Sequence, residues 1–183
     1  MPTHSMQEST ERWSDTLVSE LYDGLKSLAH KHLRSERAGH TLGTTGLVHE
    51  VWLRLADQHS LAVESQARFW AIAAETMRRV LVDHARRRAR GKRGAVAVHV
   101  DIDEVEAFLS VPEAEELVVL DDAITRLQQT NARAMQVVVA RYFGGLTEAE
   151  TAQALDISPA TVRRDWLLAR AWLRREVTAD LAI

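Results

Sequence analysis

Leu17, Val18, Leu21, Tyr22, Leu25, Leu28, Ala29 and Leu33 recur at steps of three and four. That spacing predicts an amphipathic helix from Ser14 to about Leu33 with one buried stripe. The pattern breaks over Arg34 to Gly43 and resumes with Leu47, Val48, Val51, Trp52 and Leu55, marking a second helix over Thr45 to about Asp57. A polar connector from Gln58 to Glu64 follows. A third helix starts near Ser65, with Phe69, Ala73, Met77, Val80, Leu81 and His84 on its inner face. Run unbroken to about Arg90, it is about 39 Å long, more than three short helices cover. Its arginine-rich end is therefore expected to project toward solvent or a partner.

Gly91 and Gly94, then a stretch without clear period until Glu113, read as a flexible linker over 94–112. Helical periodicity returns in two stripes, Leu117, Leu120, Ile124 and Leu127, then Met135, Val138, Val139 and Tyr142, with Asn131 as the N-cap between them. Gly144-Gly145 ends the second stripe. Thr147-Glu148-Ala149-Glu150 has the form of a capping box and opens a short helix to Leu155. Ser158 as N-cap with Pro159 at the first helical position opens the last helix.

Composition supports the same picture. The 183 residues suffice for one or two small domains. Aromatics at 5%, eight glycines and three prolines suit helices better than a turn-rich sandwich, so the fold class is all-α. The absence of cysteine excludes disulfide scaffolds, thiol catalysis and thiolate zinc sites, and fits a reducing cytoplasm. Met1 to Trp13 is polar and reads as a disordered extension, with 178–183 as a tail. Neither a signal peptide nor a membrane span is expected.

Net charge is −3, which by itself argues against a nucleic-acid partner. The average conceals a pattern. From Ser65 to Arg93 there are nine basic residues against Glu75 and Asp83; from Gly94 to Asp122 there are nine carboxylates and no Lys or Arg. Between Arg133 and Arg175 the chain turns basic again, with seven arginines.

The helix from Thr147 to Leu155, the turn through Asp156-Ile157 and the capped helix from Pro159 match a helix-turn-helix, whose second helix enters the major groove. Ala152 is small where the two helices cross. By spacing Val162, Trp166, Ala169 and Leu173 face inward, leaving Ser158, Ala160, Thr161, Arg163, Arg164 and Leu167 outward. Arginine forms paired hydrogen bonds with guanine edges or neutralises phosphates. The plainer alternative is a solvated arginine-rich face on an ordinary helical hairpin.

Ser158-Pro159-Ala160-Thr161-Val162-Arg163-Arg164-Asp165-Trp166, continued by Ala169-Arg170-Ala171-Trp172-Leu173-Arg174-Arg175-Glu176, resembles the promoter-reading helix of the extracytoplasmic-function (ECF) branch of bacterial sigma-70 factors. It is similar to the subgroup with the signature SPATVxRDW…ARAWLxRE. Gly39-His40-Thr41-Leu42 with Leu47 to Leu55, and Ala74 through Met77-Arg78-Arg79 to Arg86, resemble that subgroup's second and third helices. The resemblance runs in order from about Leu17 to Glu176.

The resemblance implies two helical domains. Residues 14–93, region 2, would bind core RNA polymerase and open the −10 element; residues 113–177, region 4, would read the −35 element. Partners would be the β′ clamp and β flap of core polymerase and promoter DNA, with the free chain monomeric and cytoplasmic and no cofactor, metal or catalysis. Glu50, Arg54 and Asp57 would face the clamp, with Trp52 in the core. The connector 58–64 would form a pocket for a flipped base, offsetting unstacking. Arg78, Arg79, Arg86, Arg87 and Arg88 would follow the −10 strand. The acidic linker is open to three readings: an RNA mimic in the polymerase channel, a solvated spacer, or self-inhibition against the arginines.

Many ECF factors carry carboxylates at the start of the clamp-binding helix, but here Gly43-Thr44-Thr45-Gly46-Leu47 has none before Glu50. Phosphorylation of Thr44 or Thr45 by a Ser/Thr protein kinase would restore negative charge at a helix end that favours anions. The alternative is N-capping by either residue. Two further readings are weighed. His49-Glu50 suggests a zinc-protease helix, but position 53 is Leu; His30 and His32 diverge on a helix; and His84 reads as a satisfied core residue. The other is a helix-turn-helix regulator that is not a polymerase subunit.

Overall fold

The computed structural model describes residues 15–32, 41–57, 66–91 and 111–181. The described residues form seven α-helices and one π-helical turn, with no strand, so the all-α expectation holds. The expected extension 1–13, the connector 58–64 and almost all of the linker 94–112 lie outside the described residues, as do the side chains of the 178–183 tail.

Helix α1 (Asp15–His32) buries Leu21, Leu25, Leu28 and Ala29, the spacing of a single stripe. Helix α2 (Thr41–Asp57) buries Leu47, Val48, Val51 and Leu55. Tyr22 meets Trp52 edge-on, with ring centroids 6.1 Å apart, and Trp52 is only partly buried. Helix α2 begins at Thr41, four residues before the predicted start. Thr44 and Thr45 therefore lie inside the helix, and neither is its N-cap.

Helix α3 (Gln66–Gly91) runs through the centre. One face, with Phe69, Ala73, Val80 and His84, belongs to the stripe expected from the sequence. The approach of α1 is close: a Cβ on Gly24 would stand 2.5 Å from Cη2 of Trp70. A second face, with Ala74, Arg78 and Val82, is also buried. It packs against the carboxy-terminal half, touching α4, the π-turn and α6. The basic end of α3 is exposed as expected, at Arg86, Arg87, Arg88 and Arg90. Helix α4 (Val111–Thr130) instead covers the middle of α3 at Arg78, with Ala114, Asp121, Ala123, Ile124 and Leu127 buried.

Asn131 caps α5 (Ala132–Val138) as predicted, its side-chain oxygen accepting from the Ala134 amide at 3.0 Å. The chain then widens into a π-turn, Val139–Phe143, where the Gly144 amide donates to the Val139 carbonyl at 3.1 Å. The wider turn shifts the helical phase. Phe143 is buried and Tyr142, expected in the inner stripe, is 44% exposed. Helices α6 (Glu148–Leu155) and α7 (Pro159–Leu181) complete the molecule. One apolar cluster contains Leu21, Leu47, Phe69, Met77, Ile124, Val139, Phe143 and Leu173, so both halves share a core.

Candidate nucleic-acid and polymerase interfaces

The pair α6–α7 is built as a helix-turn-helix. Thr147 accepts from the Glu150 amide at 3.2 Å while Glu150 accepts from the Thr147 amide at 2.7 Å, satisfying two donors at the helix start. The Thr147 hydroxyl, donating to the same carboxylate at 2.7 Å, and after it the Thr147 amide hold the Glu150 carboxyl below its ordinary range. Asp156 ends α6 in the left-handed region at φ 53°, which turns the chain, and the Ile157 amide donates to the Ala152 carbonyl at 3.0 Å. Ser158 then caps α7, accepting from the Thr161 amide at 3.1 Å. Val137, Ala152 and Val162 form the small core where the helices cross, with Ile157 and Trp166 against it.

The inward and outward faces of α7 follow the sequence prediction. Val162, Ala169 and Leu173 are buried; Ser158, Ala160, Arg163, Arg164 and Leu167 are exposed and Thr161 is half-buried. Arg163 is 68% exposed and donates to Glu148 at 2.8 Å. Arg164 is 62% exposed, with Nε 3.5 Å from Asp165. Next to Arg164, Asp165 is buried and bound by Arg133 at 2.6 Å. The Arg133 hydrogen bond, more than its charge, holds the Asp165 carboxyl below the usual carboxylate range against the opposing effect of burial. Arg141 and Arg170 lie over the Trp166 ring at 4.9 and 5.7 Å. The result is an α7 that offers hydroxyls, guanidinium groups and two leucines, Leu167 and Leu168, on its exposed surface.

The five arginines selected on α3 divide into two groups. Arg79 is 61% exposed and donates to Glu75 at 3.2 Å. Arg87 donates to the Asp83 carbonyl at 3.4 Å, and Arg87 and Arg88 are exposed. Arg78, in contrast, is buried in the contact with α4, 2.7 Å from Asp121 and 3.3 Å from the Thr125 hydroxyl. Arg86 joins the same carboxylate at 3.0 Å and meets Asp122 at 3.2 Å. These carboxylates lie in α4, beyond the expected linker and 35 to 43 residues from their partners, so local spacing does not say which arginines they meet.

On α2, Glu50 accepts from Arg54 at 2.7 Å and lies 2.7 Å from Nε2 of the buried His84. Arg54 also reaches Asp83 at 3.2 Å. The predicted polymerase-facing pair is therefore part of a network binding α2 to α3, and His84 has the core role expected of it. Leu53, beside them, is 51% exposed. Asp57 ends α2, and its side chain lies outside the described residues. Of the two threonines, Thr44 is fully buried and Thr45 is exposed. The first turn of α2 holds no acidic residue.

Among the described residues no group of His, Asp and Glu could hold a metal ion. No described helix is long and apolar enough to cross a membrane. Compared with known proteins, residues 3–179 match a family model described as ECF sigma factor. Neither a curated protein nor a solved structure matches the chain.

Proposed function

This chain belongs to the ECF sigma factor family, non-catalytic factors that associate with RNA polymerase and direct transcription initiation, and on that premise we propose how its parts divide the work. Helices α1 to α3 form the polymerase-binding and −10 module, and α4 to α7 form the −35 module. The observation that carries the reading is the helix-turn-helix with its exposed Arg163, Arg164 and Leu167, in a chain matched by the family model along nearly its whole length. Ser158, Ala160 and Thr161 complete the −35 surface. On α3, Arg79, Arg86, Arg87 and Arg88 follow the opened −10 strand, with Arg78 joining them once it is uncovered. Phosphate contacts of this kind give salt-dependent affinity.

Glu50, Arg54 and Asp57 mark the face of α2 that meets the polymerase clamp. The same helix is the site of the kinase switch. Exposure favours Thr45 over the buried Thr44 as the phosphate acceptor. A phosphate there adds about −1.5 to −2 charges on α2 upstream of Glu50, in a segment that holds no carboxylate. We assign the chain to the subgroup marked by SPATVxRDW…ARAWLxRE on the match of residues 158–176. Its place of action is the cytoplasm, where polymerase works.

Run-off transcription with core polymerase on genomic fragments, with and without a Ser/Thr kinase, tests the reading. Specific transcripts that require the chain are expected, with higher yield after phosphorylation. No association with core polymerase in either state would overturn the function, and equal yields in both states would overturn the switch.

A further inference from the structure

Glu148 is the first residue of α6, at a helix start fixed by the capping box of Thr147 and Glu150. From there its carboxylate reaches α7 and grips Arg163 side-on, Oε2 accepting from Nε at 3.3 Å and Oε1 from Nη2 at 2.8 Å. A guanidinium group has five N–H donors in a rigid fork, so this pairing leaves both hydrogens of Nη1 and one of Nη2. The end of the fork then presents two parallel donors, one from each terminal nitrogen. The Arg163 side chain is 68% exposed, so that end is open to a partner. Two parallel donors match the O6 and N7 acceptors of guanine in the major groove.

Charge decides between a base edge and a phosphate as the target. Glu148 cancels the charge of Arg163, so the pair as a unit has little attraction for a phosphate, and the carboxylate repels one. Guanine O6 and N7 are neutral acceptors that demand geometry rather than net charge. The neighbouring Arg164 is held differently. Its Nε lies 3.5 Å from Asp165, a carboxylate already bound by Arg133 at 2.6 Å. The terminal nitrogens of Arg164 therefore suit a phosphate, which fixes register and carries no sequence information.

We propose that Glu148 is a positioning residue that orients Arg163 to read a guanine of the −35 element, setting base preference at one position without itself touching DNA. The inference rests on the sigma-factor reading with α7 in the major groove. A side chain held in place before contact loses less freedom on binding. A paired contact with guanine discriminates against the wrong base by about fivefold to 150-fold. Without Glu148 the same arginine gains net charge and the freedom to turn to a phosphate. Affinity for duplex in general then holds or rises while base preference falls, a combination that a damaged fold does not produce.

The test compares the parent chain with Glu148→Ala, Glu148→Gln, Arg163→Ala and Asp23→Asn, the last removing one charge from an exposed position on α1. In the first arm each chain is assembled with core polymerase and given a promoter, found by run-off transcription, whose −35 element is randomised. Transcripts are then counted by template sequence. Arg163→Ala identifies the position read, as the one whose guanine preference disappears. Glu148→Ala is expected to weaken preference at that same position by about threefold or more. Glu148→Gln, which keeps the size and one acceptor, should weaken it less, and Asp23→Asn should leave it unchanged. In the second arm each chain alone binds a pool of random duplexes, and total retention and retained sequences are both scored. Retention at or above the parent level with weakened preference supports the proposal. Unchanged preference in both Glu148 variants overturns it, as does preference lost together with retention, or an Arg163→Ala chain that keeps every guanine preference. Absence of transcription with every chain overturns the sigma-factor reading instead, and the second arm then decides the role of Glu148. A parent chain with no base preference in either arm overturns both.

Discussion

Asp165 shows how one residue sets the geometry of a reading surface. It is buried among exposed arginines and fixed by Arg133 from α5, so α7 is anchored while Arg163 and Arg164 remain outward. Because its folded pKa is lowered, its stabilising effect is present above the ordinary carboxylate value of about 4 and is lost as pH falls through the lower folded value. Asp165→Asn should lower Tm at neutral pH by about 2–4 °C and shrink the difference from the parent chain in strong acid. Calorimetry at both pH values checks this. Arg163→Ala/Arg164→Ala should reduce promoter-directed transcription by about tenfold or more, through loss of groove contacts, while co-elution with core polymerase is retained. Loss of co-elution would count against the division of labour. The outward face was readable from periodicity alone, whereas Asp165 appears in sequence only as a polar gap in an apolar stripe. Its partner lies 32 residues away, beyond any local pattern.

Among the elements, caps and turns were the most legible features because they depend on neighbouring residues. The Asn131 cap, the Thr147–Glu150 box and the Ser158-Pro159 start all form as their side chains dictate. Thr147→Ala should cost about 1 kcal/mol, read from urea denaturation. The π-turn was not legible, and it moved Tyr142 outward by changing the helical phase before Gly144. At Gly144 a Cβ would also stand 2.5 Å from the Ala140 carbonyl oxygen, so backbone must shift to admit it. Gly144→Ala should therefore destabilise the chain by about 1–3 kcal/mol through overpacking against the turn and Ala74. A urea midpoint equal to that of the parent would refute this steric account. The start of α2 was misread for a different reason. Leu42 and Gly43 carry no strong helix signal, and propensity is weak against tertiary packing of the residues that follow.

For the whole molecule, α3 decides the architecture by burying two faces, one under α1 and α2 and one under α4, the π-turn and α6. A shared core predicts that the chain unfolds as one cooperative unit. Thermal unfolding followed through Trp70 and through Trp166, in variants with the other tryptophans replaced by Phe, should give coincident transitions. Separate transitions would show that the halves melt independently. The sequence by itself determined the helices, their caps, the helix-turn-helix and the alternation of basic and acidic segments, because each depends on residues within a few turns of one another. The tertiary structure alone decided that Arg78 is covered, that Asp121 belongs to an interface and that Thr44 and Thr45 differ in access. Those facts depend on which surfaces meet across long separations. Periodicity gives a helix its buried direction, but it does not say which of two helices on opposite sides will fill it.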